Sequence, residues 1–255
     1  MIYEIQGRRS ASVPHPRDFI HALEVPGLLS ISFPAEPDHR VRRVVTRSRA
    51  RRTYKYPSWK MDRMVECDSA NEKTAARLYD LDPTVISFHE QALIIRFVMG
   101  GEVHWHIPDF VIRRRETIEI DEIKDETDSD DSEIRERTAT LKPYLARLGI
   151  QYRVRFVRKS LHEPTIRFGR QLLQFGRFEV NEVDRERVRR YFSAHNEINW
   201  RQINDGLLGE HGKYIIARLV LEGSVCQKGA FGPLTGSTKF VQKVGWSSPP
   251  DLWAA

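Results

Sequence analysis

The sequence has little cysteine, no long apolar run and no glycine-rich phosphate loop. Its two cysteines, Cys67 and Cys226, lie far apart, which excludes a disulfide framework and a zinc site of four cysteines. No segment reaches the ~20 consecutive apolar residues that span a bilayer, and the N-terminal residues lack the order of a secretory signal. We therefore expect a cytoplasmic protein that does not span a membrane and does not itself hydrolyse ATP.

Charged residues are unevenly distributed along the chain, which has 255 residues and a net charge of +6. Residues 40–63 contain ten arginines and lysines and one acid, whereas residues 121–133 contain eight acids and one lysine. Such segregation predicts a surface with opposed electrostatic faces, one of which attracts polyanions.

Hydrophobic periodicity predicts an α/β (α+β) core followed by a smaller helical domain. Residues 1–38, punctuated by prolines, are predicted to be an irregular lead-in, residues 39–160 the main domain and residues 161–255 the second domain. The elements predicted for the main domain are a helix after Ser69, strands over 85–88, 92–98, 103–112 and 117–124, a helix over 134–148 and a strand over 151–157. This order predicts a mixed sheet flanked by helices. Three short helices and a strand over 240–244 make the second domain winged-helix-like.

Charged side chains at the ends of two neighbouring predicted strands form the candidate site. Asp109 follows Pro108 near the end of one strand. Glu122 and Lys124 share one face of the next strand, because alternate residues of a strand point the same way. Two carboxylates supply the oxygen ligands that Mg²⁺ prefers, and a lysine beside them can orient water and stabilise charge on a phosphate. The set predicts hydrolysis of a phosphodiester.

Other polar residues of these strands leave alternatives open. Glu119 and Asp121 lie on the opposite face and compete with Glu122 as the second carboxylate, although only Glu122 has a lysine two residues further on. His104 and His106 share a strand face with a spacing that can chelate a metal ion. No cysteine or further histidine lies near them in sequence, which favours ordinary strand positions.

Glu72 has two interpretations, a helix cap or a metal ligand. Ser69 and Glu72 have the spacing of a capping box. Glu72 also shares a helix face with Ala75, Ala76 and Tyr79, which directs it towards the core, where a carboxylate is costly unless it is paired or bound to a metal. Both roles can hold together.

The basic segment is a candidate DNA contact, because arginines and lysines bind phosphates and the aromatic residues among them can pack on sugars or bases. The candidate DNA-binding residues are Arg47, Arg49, Arg51, Arg52, Lys55, Lys60 and Arg63. A solvated basic loop is the alternative. The acidic run 125–133 is either a solvated loop or a segment that repels DNA until a partner moves it.

Several motifs together resemble the TnsA family, the endonuclease subunits of heteromeric cut-and-paste transposases. They are Lys55-Tyr56-Pro57-Ser58, Ser69-Ala70-Asn71-Glu72, Leu81-Asp82-Pro83, Ser87-Phe88-His89-Glu90-Gln91, Ile107-Pro108-Asp109-Phe110-Val111 and Glu122-Ile123-Lys124. The resemblance covers roughly residues 50–160, with weaker similarity beyond.

The resemblance implies a restriction-endonuclease-like fold of the PD-(D/E)xK type, with residues 39–160 as the catalytic domain. It implies that Glu72, Asp109 and Glu122 bind Mg²⁺, with Mn²⁺ able to substitute, that Lys124 activates water and that Gln91 supports the site. The implied partners are double-stranded DNA at transposon ends, an integrase-type transposase that cuts the other strand, and an ATPase regulator that docks on the C-terminal domain. Such a protein would be bacterial and associated with the nucleoid when assembled.

Two other functions remain open from the sequence. A stand-alone restriction or phage-defence nuclease would use the same core, and a catalytically idle DNA-binding assembly module would keep the fold without the chemistry. The presence of all four active-site residue types disfavours the idle module.

Overall fold

The computed structural model of the protein describes residues 13–21, 24–35, 39–41, 52–157, 163–229 and 232–243. Its strands are β1 (Leu28–Ser32), β2 (Tyr54–Ser58), β3 (Arg63–Cys67), β4 (Val85–Glu90), β5 (Ile94–Met99), β6 (Glu102–His106), β7 (Phe110–Arg114), β8 (Ile118–Asp125), β9 (Ile150–Val157), β10 (Ile198–Asn199), β11 (Val225–Gln227) and β12 (Lys239–Gln242). Its α-helices are α1 (Ala70–Leu81), α2 (Ser132–Ala146), α3 (Glu163–Phe175), α4 (Glu182–Ala194), α5 (Trp200–Asn204) and α6 (Gly212–Leu221). None of the helices in these ranges combines the length and the apolar composition that a membrane span requires.

A mixed sheet of four strands, in the order β4-β7-β8-β9, lies at the centre of the fold. β7 runs antiparallel to β4 and β8, while β9 runs parallel to β8. Helix α1 packs on one face, where Tyr79 and Ile123 share an apolar core. Helix α2 packs on the other, where Leu141 and Leu145 share a second core with Ile120. The predicted α+β class, with a mixed sheet between helices, is confirmed.

Strand β1 corrects the prediction of an irregular N-terminal lead-in. It pairs antiparallel with β5, with Ile31 opposite Ile95, and β6 completes this second sheet in the order β1-β5-β6. Gly27 precedes the strand at a φ of +89°, which strains a residue with a side chain, and a Cβ there would lie 2.2 Å from the hydroxyl of Tyr144, which would have to move. Residues 1–12, 22–23 and 36–38 of the predicted lead-in lie outside the described residues.

Residues 103–112, predicted as one strand, form two. β6 ends at His106 and pairs with β5, whereas β7 begins at Phe110 and pairs with β4 and β8. Pro108 has no N–H to donate to a ladder, so the chain leaves one sheet there and enters the other. This break places Asp109 immediately before β7.

The basic segment ends in a hairpin that sequence periodicity does not predict. β2 and β3 pair antiparallel, with Tyr56 opposite Val65. Tyr56, Val65 and Cys67 are buried in the core that includes α1. Residues 42–51 of the basic segment lie outside the described residues.

The C-terminal part consists of α3 followed by α4, β10, α5, α6, β11 and β12. Its strands form an antiparallel sheet in the order β10-β12-β11, so the predicted strand near residue 240 has two partners. Helix α6 packs on α3 and is buried along most of its length, and α3 also contacts α1. One apolar core therefore runs from α1 into the C-terminal helices.

Candidate active site

The antiparallel pairing of β7 and β8 brings two of the predicted site residues together. Phe110 pairs with Asp121, so the next positions, Asp109 and Glu122, face each other across the strands. Oδ2 of Asp109 accepts a hydrogen bond of 2.7 Å from the backbone N–H of Ile123. Asp109 is partly buried and Glu122 is 4% exposed. The sheet register thus positions a carboxylate pair.

Three side chains from three elements contact the carboxylate of Glu122. Nζ of Lys124 lies 2.8 Å from Oε1, and Nε2 of His106 on β6 lies 3.1 Å from Oε2. A guanidinium nitrogen of Arg137 on α2 lies 3.5 Å from Oε1. Burial raises the pKa of Glu122, but His106 and Lys124 outweigh burial and lower the pKa to about 2. Glu122 is therefore ionised at neutral pH.

Asp109 shifts in the opposite direction. Burial raises the pKa of Asp109, and the negative charges of Glu122 and Glu72 raise it further. The hydrogen bond from Ile123 and the charge of Lys124 oppose this shift without cancelling it. Asp109 therefore lies close enough to Glu122 and to Glu72 to be repelled by both, and a cation beside it would relieve this repulsion.

Lys124 supplies positive charge beside the carboxylates. Burial lowers the pKa of Lys124, but the charges of Glu122 and Asp109 outweigh burial and raise the pKa above its ordinary value. The side chain is 26% exposed, so solvent reaches part of it. Lys124 is protonated at neutral pH and can donate hydrogen bonds to water or phosphate.

Glu72 lies buried in the first turn of α1. Its Oε1 accepts a hydrogen bond of 2.9 Å from the Ser69 hydroxyl, and its Oε2 accepts one of 2.8 Å from the N–H of Asp68. Its own N–H donates to Oγ of Ser69 at 3.1 Å. Glu72 thus stabilises the start of the helix, while its charge still acts on Asp109.

Glu119 and Asp121, the alternative carboxylates, face the other side of the sheet. Asp121 accepts hydrogen bonds from the Tyr79 hydroxyl at 2.8 Å and from Nε of Arg155 at 3.1 Å. Nε of Arg114 lies 2.9 Å from Glu119. Because these partners neutralise both acids within the interior, neither joins Asp109 at the site.

The donor chemistry of the carboxylate cluster fits a hard divalent cation. Within the described ranges, no three His, Cys, Asp or Glu side chains are already arranged to hold a metal ion together. Mg²⁺, however, usually takes only one or two carboxylates and completes its shell with water and phosphate oxygens. Asp109 and Glu122 supply two carboxylates on adjacent strands. Glu72 could add a third, because a carboxylate oxygen that accepts the N–H of Asp68 keeps another lone pair for a cation.

Two of the predicted DNA contacts have internal partners. Nζ of Lys60 donates to the carbonyl oxygen of Tyr79 at 2.8 Å, near the end of α1, and burial lowers the pKa of Lys60 to about 8. Arg63 donates two hydrogen bonds, of 2.7 and 2.6 Å, to the buried carboxylate of Glu90. Both side chains therefore hold the β2–β3 hairpin to its neighbours.

Arg52 and Lys55 are the exposed members of the predicted DNA-binding set among the described residues. Nζ of Lys55 lies 3.5 Å from Glu66, a surface contact that solvent and salt weaken. The remaining members, which lie outside the described residues, are Arg47, Arg49 and Arg51.

The sequence did not assign His106, Arg137 or Tyr152 to the site. His106 contacts Glu122, and its Nε2 lies 3.2 Å from the Tyr152 hydroxyl. His104, its predicted pair, instead packs beside Phe97, with ring centroids 5.8 Å apart. The sequence did give a signal for His106, its metal-chelating spacing from His104, but ordinary strand positions were favoured for both. Arg137 gave no signal, because its contact with Glu122 depends on how α2 packs on the sheet.

Gln91, predicted as a supporting residue, lies beside Asp109. Its N–H donates to the carbonyl oxygen of Asp109 at 2.9 Å. Its side-chain amide donates to Oδ2 of Asp68 at 3.0 Å. The structure therefore connects Gln91 directly to Asp109 and, through Asp68, to Glu72.

No protein-family model matches this chain, and no curated protein matches it. The resemblance to the TnsA family accordingly rests on the motifs in the sequence.

Proposed function

We propose that this chain is a metal-dependent DNA endonuclease with a core of the restriction-endonuclease type. The observation that carries the proposal is the meeting of Asp109, Glu122 and Lys124 where β7 and β8 pair. Two acids and a lysine there provide oxygen ligands for a cation and a positive charge for a phosphate, which phosphodiester hydrolysis requires.

The order of the elements supports this proposal. Helix α1, strands β4, β7 and β8, helix α2 and strand β9 follow one another as the motifs lead us to expect, with β5 and β6 inserted after β4. The carboxylates come from neighbouring central strands and from the first turn of α1. Their positions therefore agree with a nuclease site at one end of the sheet.

Asp109 and Glu122 are the residues that would hold the cation, and Glu72 would add a carboxylate. Bound Mg²⁺, or Mn²⁺ in its place, supplies Lewis acidity towards the phosphate and lowers the pKa of bound water. Lys124, which is protonated, donates to the attacking water or to a phosphate oxygen and stabilises the charge that develops there. His106 keeps the Glu122 carboxylate oriented towards Asp109.

We further propose that the chain is the nuclease subunit of a heteromeric transposase that cuts one strand at transposon ends. The motif resemblance to the TnsA family supports this assignment. The C-terminal elements from α4 to β12 have the helix–strand–helix–helix–strand–strand order of a winged helix. Within α6, all of which is described, seven of the ten residues are buried and none is fully exposed, so this helix offers little surface to a DNA groove. A protein partner, such as an ATPase regulator, is the better occupant of this domain.

Cleavage of supercoiled plasmid and of transposon-end duplexes tests the proposal. The full chain is assayed in Mg²⁺ or Mn²⁺, alone and with any integrase-type transposase encoded beside it. We expect wild type to nick DNA and Lys124→Ala to be slower by about 10²–10³-fold, the usual cost of losing one group that stabilises transition-state charge. Lys142→Ala, which removes an exposed lysine from α2, is the matched control and should keep the wild-type rate.

The outcomes separate the candidate functions. Nicking only with the transposase partner supports a transposase subunit, whereas full activity alone supports a stand-alone nuclease. If wild type and Lys124→Ala were equally inert with every substrate, partner and metal, the enzyme assignment would be wrong.

A further inference from the structure

Gln91 has a backbone conformation that is costly for a residue with a side chain. Its φ is +44°, and Asp62, at +49°, is the other non-glycine residue with positive φ within the described ranges. Residues with a Cβ keep such a conformation only where their surroundings impose it. Asp62 lies in the exposed turn between β2 and β3, where such backbones are common, but Gln91 is 3% exposed and adjoins the site.

Backbone contacts hold Gln91 in register with the carboxylate pair. Its N–H donates to the carbonyl oxygen of Asp109 at 2.9 Å, which extends the pairing of β4 with β7 by one residue. Its own carbonyl oxygen accepts from the N–H of Val41 at 2.9 Å. The preceding residue, Glu90, is held by two hydrogen bonds from Arg63. Gln91 therefore has little freedom to move relative to Asp109.

The side chain of Gln91 connects this strand end to helix α1. Its amide nitrogen donates to Oδ2 of Asp68 at 3.0 Å, and the N–H of Asp68 donates to Oε2 of Glu72 at 2.8 Å. A continuous path therefore runs from the backbone of Asp109 through Gln91 and Asp68 to the Glu72 carboxylate. Because a carboxylate accepts hydrogen bonds, the amide nitrogen must face Asp68. The amide oxygen is buried and has no hydrogen-bond partner in the described part of the chain.

We propose that Gln91 is a positioning residue of the nuclease site. Its left-handed backbone directs the amide towards Asp68, and the amide fixes Asp68 so that Glu72 is held at a set distance from Asp109. The helix carboxylate and the sheet carboxylates are thereby presented together to one divalent cation. This inference rests on the proposed function and assigns to Gln91 a part in setting the metal affinity of the site.

Metal binding by the full chain tests the proposal separately from cleavage. Mn²⁺ binding is measured by electron paramagnetic resonance and calorimetry, and site binding is defined as the part that Asp109→Asn removes. Gln91→Gly removes the backbone strain at residue 91 and deletes the side-chain amide. Asp68→Ala removes the carboxylate that accepts from this amide and leaves Gln91 unchanged. We expect each to weaken site binding by about 10–100-fold, the usual effect of removing a group that orients a metal ligand. Thermal unfolding establishes that each variant is folded.

Asp62→Gly is the matched control, because it relieves the same backbone conformation outside the site. It should bind Mn²⁺ and nick DNA as wild type does. The double variant of Gln91→Gly with Asp68→Ala should bind Mn²⁺ no more weakly than either single variant, because both changes break one path.

Several results would overturn the inference. The inference is wrong if folded Asp68→Ala binds Mn²⁺ as tightly as wild type. It is also wrong if the losses of Mn²⁺ affinity of the two single variants add up in the double variant. If wild type nicks DNA and binds Mn²⁺ at Asp109 while Gln91→Gly matches Asp62→Gly, this inference alone fails. If wild type does neither, the proposed function fails and the inference with it.

Discussion

Asp109 and Glu122 are neighbouring carboxylates with opposite pKa shifts. Burial and the charges of Glu122 and Glu72 raise the pKa of Asp109, whereas contacts with His106 and Lys124 lower that of Glu122 to about 2. Opposed shifts in adjacent acids are typical of sites that perform acid–base or metal chemistry. In the metal-free protein, Asp109 is the group that retains a proton as the pH rises.

Asp109→Asn should stabilise the metal-free protein. The pKa of Asp109 in the folded state lies above the ordinary value of 3.8. Its contribution to the free energy of unfolding is therefore fully present below pH 3.8, and it is lost as the pH rises through the folded-state pKa. Asparagine does not ionise, so we expect the free energy of unfolding to rise by about 0.5–2 kcal/mol at pH 8 and by less at pH 5. We also expect the variant not to nick DNA. Urea unfolding in EDTA at both pH values measures it. A variant less stable than wild type at pH 8 would contradict the electrostatic account.

The alternation of residues on a strand predicted Glu122 and Lys124 as a pair, and the structure places them 2.8 Å apart. It also places Glu119 and Asp121 on the other face, as predicted. Sequence could not assign His106, because β6 and β8 are not paired in any sheet and their contact depends on the break at Pro108. Local periodicity carries no information on such contacts.

At the scale of elements, the structure anchors α1 at both ends. Its first turn carries Glu72, and near its last turn the buried carboxylate of Asp80 accepts hydrogen bonds of 2.7 Å from Tyr56 and from Ser58. The backbone N–H of Trp59 donates to the same carboxylate at 3.2 Å. The β2–β3 hairpin thereby fixes the helix that presents Glu72 to the site.

Asp80→Ala should destabilise the fold strongly. The change leaves buried donors of the hairpin without an acceptor, so we expect a loss of about 3–5 kcal/mol in the free energy of unfolding. The control is Asp130→Ala, whose carboxylate is 95% exposed and should matter by less than about 0.5 kcal/mol. Urea denaturation measures both. Equal stability of the two variants would show that the hairpin does not anchor α1.

Periodicity predicted α1, α2, β8 and β9, because each presents a regular apolar stripe to the cores. It missed β1, β2 and β3, which have only five residues each, and β2 also contains a proline. The acidic run is more than a solvated loop, since Asp125 caps a short 3₁₀ helix and Asp131 caps α2. Such capping roles depend on where the next helix begins.

At the scale of the whole molecule, the arginines of α4 differ in their contacts from the exposed basic residues of the hairpin region, Arg52 and Lys55. On α4, Arg185 pairs with Glu222, Arg187 with Asp184, and Arg189 with Glu186. In the hairpin region, Arg52 is exposed, and the exposed Lys55 contacts Glu66 at 3.5 Å, a longer distance than those of the pairs on α4. Under the proposed function, the hairpin region is therefore a better candidate for a DNA contact than α4.

Arg52→Gln with Lys55→Gln should weaken DNA binding and its dependence on salt. Removing one side chain that binds a phosphate lowers the slope of log affinity against log salt by about 1, so the double variant should lower it by up to about 2. Arg189→Gln with Arg190→Gln removes two charges from α4 and should leave the slope unchanged. Fluorescence anisotropy across a salt series measures both. A lower slope in the α4 variant, with an unchanged slope in the hairpin variant, would place the DNA on the C-terminal domain.

Under the proposed function, Asp109 and Glu122 hold a divalent cation for phosphodiester hydrolysis. Anomalous diffraction from crystals soaked in Mn²⁺, with and without a bound DNA duplex, tests it most directly. We predict a manganese peak in contact with both carboxylates, and no peak there in Asp109→Asn. A saturating soak of the DNA complex that shows no manganese at these residues would contradict the account.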